Sequence, residues 1–174
     1  MLKRTVMTLA TLSLFPLQSI AALQCGSGQT HVSVNGSVTT LNVSDTKQVG
    51  QICVAMIRAA DGREIFNDCG ALVGKVMSVD EPTQSSTLAH TAVFNLHDMF
   101  VTRNDHAQIT AVQAVDDTGA PCAFGVVESI TEIDKGLGIF RGGQIDVTAT
   151  GSISFCPGKN LNTFTLQGEA CVRK

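Results

Sequence analysis

Glu128 is the residue on which chemistry would turn. It stands in the run Cys122–Ile133, whose even positions are Phe124, Val126, Glu128 and Ile130. A carboxylate among apolar neighbours is costly to bury unpaired, so it either takes a partner or holds its proton above the usual range. Groups of that kind act as general acids, bases or electrostatic anchors. The odd positions Ala123, Gly125 and Val127 are apolar as well, which leaves open whether Glu128 faces an interior or water. On a second run, His90 shares a face with Ala92, Phe94 and Leu96. A histidine there is either a satisfied core or rim group or a proton carrier. His90, Phe94, Phe124 and Phe140 are therefore the candidate lining of an apolar binding site, and Glu128 its candidate catalytic group.

Other chemistries lack their residues. His90, His97 and His106 fall close together, but His90 and His97 have opposite strand parities and no i, i+2 histidine pair occurs. No metal-ligand set is read from them. There is no G-x-S-x-G elbow and no identifiable Ser-His-Asp triad. Gly136-Leu137-Gly138 lacks the lysine and following helix of a phosphate-binding loop, so it reads as a bend between strands, with Phe140 plugging or packing under one end of the fold. No cofactor is expected.

The elements that must position these residues are strands. Ile145, Val147, Ala149, Ile153 and Phe155 alternate with Asp146, Thr148, Thr150, Ser152 and Ser154; Phe164, Leu166, Ala170 and Val172 alternate with Thr163, Thr165, Gln167 and Glu169. A period of two with one apolar face is half-buried antiparallel sheet. Further strand-like runs are Gln29–Ser44, with Asn35-Gly36 as a hairpin turn signal, and Val49–Ile57, then Glu64–Asn67 after an Asp61-Gly62 turn. Gly70–Val79, Leu88–Leu96, His106–Val115 and Cys122–Ile133 continue the series. The segments Asp80–Ser86, Asp98–Asp105, Asp116–Pro121 and Asp134–Gly143 read as loops or turns. Regularly spaced short strands without a helix after the leader mean an all-β sandwich or barrel.

The first 22 residues read as a signal peptide: Lys3 and Arg4, an apolar run from Val6 to Leu17, then small residues at Ser19, Ala21 and Ala22. The run is too short for the roughly 20 residues a membrane span needs. Residues 23–174 form one domain by length. With Lys3 and Arg4 removed, the formal charge moves from −3 to about −5, which argues against nucleic acid or an anionic membrane as partner. Trp and Tyr are absent, which weakens any carbohydrate reading based on aromatic platforms.

All six cysteines follow the leader. An even count in an exported chain reads as three disulfides, and no C-x-x-C pair points to zinc instead. Cys53 and Cys69 are symmetric about Asp61, and Cys122 and Cys156 about Ile139, which leaves Cys25 with Cys171. One conflict stands. Cys156 has the polar parity of its strand and Cys122 the apolar one, whereas cross-strand partners share a face. Either a bulge before Pro157 resolves it or Cys156 pairs with Cys171.

The pattern Gly136-x-Gly138-x-Phe140-x-Gly142, followed by the alternating strand to Gly151 and a last strand with Gly168, resembles the allene oxide cyclase and dirigent barrel superfamily. Val49-Gly50 opening a strand, the Gly70–Gly74 stretch and His90-Thr91-Ala92-Val93-Phe94 are similar to that pattern too. The resemblance covers about residues 48–172. It implies a closed antiparallel barrel with an apolar cavity, and action on hydrophobic small molecules without metal or organic cofactor. The family's catalytic residues do not align onto this chain.

The expectation is a disulfide-stapled, closed antiparallel β-barrel of about eight strands, periplasmic or secreted. It binds a small apolar molecule in its cavity. Alternatives are a cofactor-free cyclase or isomerase using Glu128, and a non-catalytic protein-interaction module. Whether the protein is an enzyme, and whether it forms a homo-oligomer, stays open.

Overall fold

The computed structural model describes residues 23–173; the leader assigned to residues 1–22 lies outside the described residues. Ten antiparallel strands follow one another: β1 (Gln29–Ser44), β2 (Lys47–Arg58), β3 (Glu64–Asp80), β4 (Ser85–Val93), β5 (Met99–Thr102), β6 (Asp105–Val115), β7 (Pro121–Ile130), β8 (Ile133–Leu137), β9 (Gln144–Ser154) and β10 (Leu161–Arg173). A turn of 3-10 helix, Gly138–Phe140, joins β8 to β9. No helix among the described residues is long and apolar enough to cross a membrane.

Eight strands close into a ring in the order β3-β2-β1-β10-β9-β7-β6-β4, with β4 returning to β3. Closure leaves the ring without free edges. Alternate residues point inward: Val32, Val34, Val38 and Thr40 on β1, Ile52, Val54 and Met56 on β2, and Ile145, Val147 and Ala149 on β9 are all buried. β5 and β8 form a flap outside the ring. At its start β4 pairs with β6, from Ser85↔Gln108 to Leu88↔Asp105. At its end it pairs with β5, from Thr91↔Val101 to Val93↔Met99. The sheet therefore forks beside Ala89 and His90.

Several local expectations change. Asn35-Gly36 is not a turn: β1 runs straight through it, paired to β2 at Gly36↔Val54 and to β10 at Gly36↔Leu166. A side chain at Gly36 would overlap the carbonyl oxygen of Cys53, so the glycine serves close backbone approach. Glu64–Asn67 and Gly70–Val79 are one strand, β3. The expected turn Asp98–Asp105 contains β5, and the loop Asp134–Gly143 holds all of β8 except its first residue, Ile133, together with the helical turn. β4 stops at Val93, because the Phe94 N–H donates to the Asp98 carbonyl and closes a turn. Leu96, expected on the inner face, is 96% exposed.

The cysteines pair as Cys25–Cys171, Cys53–Cys69 and Cys122–Cys156. Cys53 and Cys69 are direct register partners. The parity conflict at Cys156 disappears because β9 ends at Ser154. Cys156 lies beyond it in a short bridge with Lys159, while the Phe155 N–H donates to the Cys122 carbonyl.

Candidate functional site

The ring encloses a cavity of about 440 Å³. Its closed end is a cluster of four phenylalanines. Phe140, 1% exposed, stacks on Phe94 at 5.6 Å between ring centres and meets Phe66 and Phe100 edge-on at 5.7 and 5.1 Å. The other end opens between the β1–β2, β3–β4 and β9–β10 connections, where Val79, Val112 and Phe155 line the mouth and are exposed. Between the ends the wall is mostly Val, Ile, Leu, Ala and Phe, and one ionisable cluster interrupts it.

That cluster stands at the fork. His90 projects inward from β4, opposite Gly74 of β3. A methyl group at Gly74 would press within 3.1 Å of the imidazole, so the glycine makes room for the ring. Asp105 opens β6 and Glu128 sits on β7, opposite Ala107 of β6 and Ala149 of β9. His90 Nδ1 lies 2.8 Å from Asp105 Oδ2 and 3.4 Å from Glu128 Oε1. Thr102, the last residue of β5, completes the set. Its hydroxyl accepts the His90 backbone N–H at 3.1 Å and donates to Asp105 Oδ2. Fork and site are thus one construction. Where β4 changes neighbours its backbone N–H loses a strand partner, and a side chain of the incoming strand supplies one.

Asp105 and Thr102 are 1% and 0% exposed and Glu128 is 6% exposed. Burial lowers the proton affinity of His90, but the Glu128 carboxylate and the hydrogen bond and charge of Asp105 outweigh it, and the net shift is upward. Burial raises Glu128 above the ordinary carboxyl range; His90 opposes this and the Asp105 charge adds to it. Both folded-state values are raised, so the native protein binds more protons than the unfolded chain as these groups titrate. Their contribution is complete below the unfolded values and lost as pH rises through the folded ones. In a chelating buffer the thermal midpoint is therefore expected to fall between about pH 5 and about pH 8. E128Q is expected to flatten that slope. A midpoint that rises steadily over the interval would contradict the assignment.

Glu128 and His90 thus come together on the cavity wall, and Phe124 lines the cavity beyond Val126. Phe140 closes the end. Phe94 does not line the cavity; once past β4 it packs into the plug behind Phe140. Sequence reading missed Asp105 and Thr102. Asp105 begins the inward series Asp105, Ala107, Ile109, a period-two signal, but a strand started at His106 leaves it in a turn. Thr102 alternates with the buried Phe100 on β5, a strand too short to announce itself. A second polar group was missed as well: Asn162, fully buried on β10, donates to Thr40 and Asn42, and Thr40 donates to Gln48.

Among the described residues, the group able to hold an ion is His90, Asp105 and Glu128, whose donor atoms all lie within 4.8 Å of one another. Comparison with protein-family models, with curated proteins and with solved structures gives no match.

Proposed function

We propose that the chain binds a small apolar molecule inside its barrel, with the ligand's polar group turned toward His90 and Glu128. The observation carrying this reading is the cavity itself: open at one end, plugged at the other by Phe140, apolar along its walls and interrupted by one buried ionisable cluster. Its volume falls within the range of about 300 to 1,000 Å³ usual for small-molecule sites. The resemblance to allene oxide cyclase and dirigent barrels belongs to the same reading, as does export: three disulfides fit an oxidising compartment such as the periplasm or the extracellular space.

A second reading is a cyclase or isomerase that moves a proton without an organic cofactor. It is favoured by Glu128, which faces the cavity with Oε1 buried and free of any hydrogen bond. Glu128 would act as acid, base or electrostatic anchor. The two readings share one test. Native mass spectrometry of the untagged protein is expected to reveal an adduct lost on denaturation. Fatty acids or terpenoids added at about 100 times their Kd should stabilise the fold by about 2.7 kcal/mol. E128Q that keeps binding but abolishes conversion of the ligand selects the enzyme; a protein whose unfolding no apolar compound shifts removes both readings.

A further inference from the structure

The cluster at the fork has more acceptors than donors. The Thr102 hydroxyl and His90 Nδ1 both address Asp105 Oδ2. Asp105 Oδ1 and Glu128 Oε1 remain, each buried and each without a hydrogen-bond partner. Leaving a buried carboxylate oxygen unpaired is unfavourable, and here each of the two carboxylates beside one imidazole carries such an oxygen. A second proton on the imidazole would not satisfy both, because Nδ1 is its only nitrogen within reach of either carboxylate in the observed pairs.

We propose that His90, Asp105 and Glu128 form a binding site for a divalent transition-metal ion of the zinc, manganese, iron or cobalt type. Two donors each about 2.1 Å from one ion, at octahedral or tetrahedral angles, stand about 3.0 to 3.4 Å apart. The observed separations from His90 Nδ1, 2.8 Å to Asp105 and 3.4 Å to Glu128, bracket that span. One imidazole and two carboxylates suit these ions better than calcium or magnesium, which favour all-oxygen shells. The cysteines are all in disulfides, so no thiolate competes for the ion. The ion takes the place of the proton on Nδ1, which leaves to solvent as it binds. Thr102, donating to Asp105, is the outer group that fixes a ligand carboxylate, and Gly74 leaves the imidazole free to sit against β3. Three protein ligands leave coordination positions open toward the cavity, the arrangement of reactive rather than purely structural sites. The site stands whether or not an apolar ligand occupies the barrel.

The test uses the metal alone. Untagged, oxidised protein is stripped with chelator, dialysed, and titrated with Zn²⁺ by calorimetry and with Co²⁺ by visible absorption. The expected result is one ion per chain, a Co²⁺ absorption band, and protons released on binding. E128Q should bind at least about tenfold more weakly. Because Glu128 Oε1 makes no hydrogen bond, this variant is expected to keep the fold, which its unfolding midpoint checks; D105N, which disturbs Thr102 and His90 as well, is the second variant. H31A is the control, since His31 and Glu169 form the other close histidine–carboxylate pair, at 3.0 Å. The proposal is overturned by the absence of saturable binding, by wild-type affinity in folded E128Q, or by loss of binding in H31A.

Discussion

Phe140→Ala is expected to remove about 3 to 5 kcal/mol of folding stability. The side chain is 1% exposed and touches three other aromatic rings, so truncation loses both its transfer energy and the edge-on and stacked contacts around it. The surroundings have little freedom to collapse into the gap. A side chain at Gly136 would overlap the Phe140 carbonyl oxygen, and Gly138 holds a positive φ of 60° where a side chain would strike Asp98. The Ile139 N–H donates to Asp98 Oδ1 at 3.0 Å, and the Gly143 N–H to the Phe140 carbonyl at 3.0 Å. The helical turn is thus pinned on both sides, and the void would persist. Denaturant titration checks the number: the midpoint should drop with an unchanged slope. F140L should cost less, because it keeps most of the buried volume. A loss below about 1 kcal/mol for F140A would mean that the plug relaxes into the hole.

Removing the Cys25–Cys171 bridge by paired alanine replacement is expected to cost about 4 to 5 kcal/mol. It spans 146 residues, against 34 for Cys122–Cys156 and 16 for Cys53–Cys69. If the bridges act mainly by restricting the unfolded chain, their effects should rank in that order, with the shortest loop worth about 3 kcal/mol. Position reinforces the ranking. Cys171 is fully buried on β10, whereas Cys53 is half-buried and Cys69 exposed. Equilibrium unfolding of the three paired variants gives the order directly. Equal losses would show that local packing, not loop length, sets their value.

The alternating runs at Ile145–Phe155 and Phe164–Val172 announced β9 and β10 because each strand's inner face is a local property. Glu128 was singled out by its even-numbered neighbours, which are the inner face of β7, but the apolar odd positions left its direction open. What escaped was non-local. Nothing near Ala89 signals that β4 changes partners there, so β5 passed for a turn and Thr102 and Asp105 for loop residues. Asn35-Gly36 misled in the opposite sense: a dipeptide that favours hairpins stays extended when strands on both sides hold it. Half of the ionisable cluster was therefore legible, namely His90 and Glu128, and the half that orients it was not.

A hoop is only as strong as its weakest joint. β1 is laced to β10 from Gln29 to Leu41, whereas β4 is joined to β6 only over Ser85–Leu88. Because closure makes the staves share load around the circumference, a fluctuation that parts the wall will concentrate at that short joint, in the low-energy tail of partial opening. The joint ends at Asp105. A gap there would let water or a small solute reach the ionisable cluster through the wall, beside the mouth rather than through it, while the longer joints keep the rest of the vessel intact.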